Sequence, residues 1–242
     1  MEEIKPYSTS QDNKREQVER MFDGIARHYD LLNHVLSFGI DKGWRRTAIG
    51  MVAEGSPKRV LDVATGTADM ALALHRSMGC HVVGCDISQK MIEIGKQKVT
   101  DADLAEHIEL QVADAEALPF ADGTFDAATV AFGVRNFAHV DAGLADMARV
   151  LRSGARLAVL EFSTPTNAAF RSVYNFYFKN ILPLVGGAIS QDRQAYDYLC
   201  QSAMAFPSGT DFMTHLEAAG LKPLTFKPLT CGIATVYLAE KP

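Results

Sequence analysis

Five short apolar runs, at residues 59–64, 81–86, 108–113, 125–132 and 155–162, alternate along the chain with segments of helical periodicity. Alternation of this kind implies βα units and a largely parallel sheet. Two further runs, 224–229 and 233–238, are joined only by Thr230-Cys231-Gly232. A connection that short forces antiparallel neighbours. The expected fold is therefore α/β, with a seven-stranded, mostly parallel sheet containing one reversed strand.

Ahead of the first run, Val18, Met21, Phe22, Ile25, Tyr29 and Leu32 recur at spacings of three and four, which marks one face of an amphipathic helix. This helix belongs to an N-terminal helical extension covering residues 1–50. Asp141 is expected to cap a helix that carries Leu144, Met147, Ala148 and Leu151 on one face, with Gly154 as its stop. Ser208 and Asp211 suggest a capping box ahead of Phe212, Leu216 and Ala219, closed by Gly220 and Pro223. Residues 162–207 interrupt the alternation. There Phe170, Tyr174, Tyr177, Phe178 and Ile181 define an aromatic helical face suited to a lid, a membrane-facing rim, a core helix or a dimer interface. The whole of 1–242 reads as one domain with these two additions.

Composition narrows the function classes. A net charge of −5 lacks the broad basic footprint of a nucleic-acid binder. The four cysteines, Cys80, Cys85, Cys200 and Cys231, show no paired spacing, so reduced thiols in a cytoplasmic setting are expected. The seven histidines have no ligand spacing, so no metal site is expected, and no G-x-S-x-G elbow offers a hydrolytic nucleophile. The N-terminus has no apolar signal core, and the apolar stretch 181–189 is too short and too rich in Pro and Gly to cross a membrane.

Three acidic residues stand where apolar runs end: Asp62, Asp86 and Asp114. A strand followed by a tight turn and a helix presents unpaired N–H groups at the strand tips, where open α/β sheets bind ligands. The turn here reads Ala64-Thr65-Gly66-Thr67-Ala68, with Gly66 alone where a dinucleotide fold places several glycines. A pyrophosphate fits poorly against it. Asp86, twenty residues after Gly66, is spaced to accept both hydroxyls of a ribose, or else to cap the helix that starts near Ser88. Asp114-Ala115 either meets a ligand or starts a turn. Thr67 can offer its hydroxyl to a ligand carboxylate.

The run Asp114-Ala115-Glu116-Ala117-Leu118-Pro119-Phe120-Ala121-Asp122-Gly123-Thr124-Phe125-Asp126 resembles a block of S-adenosylmethionine-dependent methyltransferases of the Rossmann type. Four other blocks make the resemblance specific: Tyr29-Asp30-Leu31-Leu32-Asn33-His34-Val35-Leu36-Ser37 with Trp44, Phe132-Gly133-Val134-Arg135-Asn136-Phe137, Arg149-Val150-Leu151-Arg152 and Leu160-Glu161-Phe162-Ser163. The chain resembles the ubiquinone/menaquinone biosynthesis C-methyltransferase family over nearly its whole length. It departs from that pattern at Asp41, Leu32, Ser153-Gly154 and Ala131, where members often carry His, Met, Pro-Gly and sometimes Ser.

The resemblance implies a Rossmann-like class I fold and S-adenosylmethionine as cofactor, held by Gly66, Thr67, Asp86, Asp114 and Ala115. It implies methylation of a ring carbon of a prenylated quinol, demethylmenaquinol or the benzoquinol precursor of ubiquinone. It leaves room for a homodimer and for peripheral contact with the inner face of a membrane. Arg135 is assigned to stabilise phenolate charge, Asn136 to fix the second oxygen, and Tyr29 with Asp30 to relay a proton. The competing reading of Arg135 is a loop staple paired with Asp126 or Asp141. Rival functions are a nicotinamide-dependent oxidoreductase, which lacks its glycines here, and a non-catalytic cofactor-binding assembly protein.

Overall fold

The strands run β1 Arg59–Val63, β2 His81–Asp86, β3 Ile108–Val112, β4 Phe125–Ala131, β5 Leu151–Phe162, β6 Lys222–Leu229 and β7 Ala234–Glu240. In the computed structural model they form one sheet in the order β3-β2-β1-β4-β5-β7-β6. Strands β1 to β5 pair in parallel, and β7 runs antiparallel to both β5 and β6. The expected single reversed strand is thus β7. The structure describes residues 4–7, 9–37, 39–165, 167, 171–172, 174, 176 and 192–242, the side chains of 28 and 31–36 excepted.

Because strand side chains alternate faces, each strand feeds two cores. Val60, Val82, Ala127, Ala158 and Leu160 pack on one face with Trp44, Ala48, Met70 and Leu74. Those helical residues come from α2 (Asp41–Ala53) and α3 (Asp69–Met78). Leu61, Val83, Ala128, Leu157 and Val159 pack on the other with Leu144, Met147, Phe212 and Leu216. These belong to α5 (Val140–Val150) and α7 (Thr210–Ala218). A third, smaller core joins Val18, Met21 and Ile25 of α1 (Lys14–Leu36) to Met91 of α4 (Gln89–Asp101) and Tyr196 and Tyr198 of α6 (Arg193–Ala205). It lays α1 across the carboxyl edge of the sheet.

Three local expectations fail for identifiable reasons. Leu151 starts β5 instead of ending α5, and Gly154 lies inside that strand with φ +77°, its N–H donating to Lys241 O at 2.8 Å. Pairing with the chain's C-terminal end overrides the helix-stop reading. Ser208 and Asp211 form no capping box; Gly209 caps α7 with φ +64° while its N–H donates to the Tyr237 hydroxyl at 2.9 Å. His139, not Asp141, is the N-cap of α5, and the Asp141 carboxylate pairs with His215 Nδ1 at 2.6 Å. Of the aromatic segment, Phe170, Tyr177, Phe178 and Ile181 lie outside the described residues, Tyr174 is buried beside Cys200 and Ala203, and Phe176 is exposed. No helix among the described residues is long and apolar enough to cross a membrane.

Candidate active site

The turn after β1 sets the floor of the site. Ala64, Gly66 and Ala68 all take left-handed φ, at +52°, +56° and +68°, and Phe132 across from them takes +59°. A non-glycine residue pays roughly 1–2 kcal/mol for that conformation, and such strain gathers at functional sites. The two alanines therefore copy a glycine-rich loop in shape. A neighbour makes room for the methyl: a Cβ on Gly133 would lie 2.5 Å from Ala64 Cβ.

Asp62 sits behind this turn and not at its tip, since β1 continues to Val63. Its carboxylate accepts the Thr65 hydroxyl at 2.6 Å and the Thr129 hydroxyl at 2.8 Å, 1% exposed. Burial disfavours its charged form and pushes its carboxyl up to about 6, against the two hydroxyl bonds. Asp62 braces the loop.

Asp86 closes β2. Its Oδ2 accepts the Gly66 N–H and its Oδ1 the Ser88 N–H, each at 2.9 Å, and burial raises its pKa. The N-cap of α4 is Ser88, whose hydroxyl oxygen accepts the Met91 N–H. Asp86 is thus free of capping duty and lines the cavity with Gly66. With about four lone-pair sites, the carboxylate keeps acceptor capacity beyond its backbone bonds, which suits a ribose hydroxyl. Asp114, Ala115 and Glu116 follow β3 into the same cavity, and Asp114 Oδ2 pairs with Arg15 Nε of α1 at 2.5 Å.

The cavity holds about 690 Å³, its open mouth included. Its walls are the carboxyl ends of β1 to β4, and its cover is Arg15, Val18, Phe22 and Tyr29 of α1. That place, at the strand tips where open α/β sheets bind ligands, suits a nucleotide-type cofactor beside a second reactant. Beyond β4 it is bounded by Phe132, Gly133, Asn136 and Phe137. Asn136 is 6% exposed; its Nδ2 donates to Phe132 O at 3.2 Å and its Oδ1 is buried with no partner among the described residues.

Arg135 is held differently from its expected role. Its Nη1 donates to Glu161 Oε2 at 2.9 Å and to Phe132 O at 2.6 Å, its backbone N–H donates to Glu161 Oε1, and its guanidinium lies over the Phe162 ring. It does not line the cavity. Neither expected staple partner is involved: Asp126 accepts the Lys58 and Arg59 N–H groups at the opposite, amino edge of the sheet, and Asp141 pairs with His215. Glu161 was the missed residue, and a carboxylate inside an otherwise apolar run was its signal.

Tyr29 and Asp30 part company. Tyr29 lines the cavity, whereas Asp30 bonds the Thr67 hydroxyl and pairs with Lys98 Nζ at 2.9 Å. Successive helical residues point about 100° apart, so the two face different neighbours. Thr67 turns its hydroxyl to that cluster, and it does not line the cavity either. Asp41 pairs with Arg45 at 2.5 Å and accepts the Ser37 hydroxyl at 2.7 Å, again away from the cavity. Arg15, Lys98 and Lys14, whose Nζ donates to Phe137 O at 2.7 Å, carry no sequence signal because their partners are remote in the chain. Among the described residues no group of three His, Cys, Asp or Glu side chains is arranged to hold a metal.

A parallel sheet with a reversed seventh strand and a cavity across the tips of its first four strands defines a Rossmann-like class I methyltransferase fold. A SAM-dependent methyltransferase from Aquifex aeolicus shares it at a TM-score of 0.55 and 19% identity, over 75% of this chain and 81% of that one. The chain belongs to the ubiE/COQ5 methyltransferase family, whose model matches residues 10–241. It is 47% identical to the ubiquinone/menaquinone biosynthesis C-methyltransferase UbiE of Geotalea uraniireducens, covering 94% of this chain and 97% of that protein. It is 45% identical to the demethylmenaquinone methyltransferase of Bacteroides fragilis, covering 99% and 98%.

Proposed function

We propose that this protein transfers a methyl group from S-adenosylmethionine to a ring carbon of demethylmenaquinol. One observation carries the reading: a single cavity is lined by Asp86 at the end of β2, by Tyr29 of α1 and by Asn136 past β4. The Asp86 end suits the ribose of a nucleoside, the Asn136 end a hydroxyl donor. S-adenosylmethionine supplies an electrophilic methyl on its sulfonium.

The residues of the chain supply the rest. Asp86 binds the ribose diol, and Asp114 with Ala115 borders the adenine. A ring carbon becomes nucleophilic when the neighbouring hydroxyl shares its proton, so Asn136 Oδ1 accepts that hydroxyl while Tyr29 faces it across the cavity. Arg135 acts through position: it and Asn136 Nδ2 bind the same Phe132 carbonyl, which fixes the amide. Phe22, Phe132 and Phe137 exclude water and give the ring apolar walls. The prenyl tail of such a quinol lies in a bilayer, so the protein works at a membrane surface.

Incubation with methyl-labelled S-adenosylmethionine and demethylmenaquinol yields labelled menaquinol; cofactor binding without label transfer excludes this substrate. The name of the Geotalea relative spans both quinone pathways, which supports the benzoquinol precursor as the second acceptor to assay.

A further inference from the structure

Lys98 lies outside the cavity, in the last turn of α4. Its ammonium donates to Asp30 Oδ2 at 2.9 Å, to Thr67 Oγ1 at 3.3 Å and to Asp69 Oδ1. These partners belong to three separate elements: the cover helix α1, the turn after β1, and the first turn of α3. The Thr67 hydroxyl also donates to Asp30 Oδ1, so four polar groups close on one another.

The arrangement has a direction. Helices α1 and α4 run side by side the same way, because Asp23 meets Ser88 and Lys90 at the start of α4 while Asp30 meets Lys98 at its end. Fixing Asp30 to α4 turns the preceding residue on the helix, Tyr29, toward the loop. Tyr29 Cε1 lies 3.7 Å from the position a Cβ on Gly66 would take.

Charge makes Lys98 hard to replace. Asp30 and Asp69 are two carboxylates drawn to one cation, and a neutral side chain there leaves them facing each other. Arg45 is committed to Asp41 at 2.5 Å and reaches Asp69 only at 3.6 Å. Like-charge repulsion then acts to separate α1 from the loop.

We infer that Lys98 is a positioning residue for methyl transfer: it fastens α1 across the turn after β1 and so holds Tyr29 against Gly66. The inference rests on the methyltransferase reading of the same cavity. It is tested with Lys98→Met, Lys98→Arg and Asp30→Asn, by calorimetric binding of S-adenosylmethionine, kcat and KM for demethylmenaquinol, and Tm. Lys98→Met weakens cofactor binding at least tenfold and lowers kcat at least fivefold, Lys98→Arg restores most of both, and Asp30→Asn shows the same losses in milder form. Adding Asp30→Asn to Lys98→Met makes neither loss greater, since the contact is already gone.

Cofactor affinity and kcat unchanged in a folded Lys98→Met protein overturn the inference. If that variant does not fold, unchanged affinity in Asp30→Asn overturns it equally. Wild-type protein that binds S-adenosylmethionine but leaves demethylmenaquinol unmethylated defeats the substrate reading alone, and the binding arm still decides on Lys98. Wild-type protein that does not bind the cofactor defeats both.

Discussion

The Gly66 amide donates a hydrogen bond to Asp86 Oδ2 at 2.9 Å, which ties the end of the second strand to the loop after the first. The same carboxylate holds the Ser88 amide through its other oxygen. Removing it therefore has two effects. Asp86→Ala weakens S-adenosylmethionine binding by roughly 2–4 kcal/mol, because charge-assisted bonds to the ribose are lost. It also lowers Tm, since two amides lose their acceptor. Calorimetry that finds wild-type affinity in the folded variant removes Asp86 from the cofactor site.

Asp62 gives a pH signature. With its carboxyl raised to about 6 in the folded state, the native protein binds this proton more readily than the unfolded chain does. The stability it contributes is full below about pH 4 and is lost as pH rises through 6, a swing of about 3 kcal/mol. Asp62→Asn is accordingly less stable than wild type near pH 4.5, and the gap closes or reverses by pH 7. A Tm difference that stays constant between pH 4 and 7 contradicts this.

The Arg135–Glu161 pair is buried, with side-chain exposures of 6% and 0%. Glu161→Gln leaves the guanidinium without its counter-charge, which costs about 3–5 kcal/mol. At this chain length that is roughly 6–20 °C in Tm. Arg135→Lys, which keeps the charge but loses the planar guanidinium over the Phe162 ring, lowers turnover at least tenfold, about 1.4 kcal/mol of barrier, and lowers Tm with it. Normal turnover in either folded variant would show that the Phe132–Asn136 geometry does not depend on the pair.

Gly133 and Ala64 form a complementary pair of small residues. Gly133→Ala puts two methyl carbons 2.5 Å apart, an overpacking worth roughly 1–3 kcal/mol, and displaces the cofactor loop. Combining it with Ala64→Gly removes the 2.5 Å contact, leaving Val130 Cγ2 nearest at 3.1 Å, and restores most of both Tm and cofactor affinity. A double variant as impaired as the single one locates the damage elsewhere.

The sheet was legible from periodicity because burying a strand or helix face is a local pattern, repeated every two or every three to four residues. The seven strands, the presence of one reversed strand and the positions of Gly66, Asp86, Asp114 and Asn136 along the chain follow from it together with the family blocks, whereas pairing showed the reversed strand to be β7. Element ends were less legible. Leu151, Gly154 and Ser208 carry ordinary helix-stop and cap signals, which were overridden by Lys241 and Tyr237 from the last strand and its tail.

Tertiary structure alone decided which polar residues reach the cavity. Tyr29 and Asn136 line it, while their chain neighbours Asp30 and Arg135 turn away to Lys98 and Glu161. The sequence determined the scaffold and brought acidic and amide groups to one edge of it, because hydrophobic periodicity and strand-end position are properties of short segments. It did not determine how those groups divide between ligand and protein. That division depends on charges 26 to 99 residues apart: Arg135 meets Glu161 when β4 pairs with β5, and Asp30 with Lys98 and Arg15 with Asp114 meet once α1 is laid across the sheet.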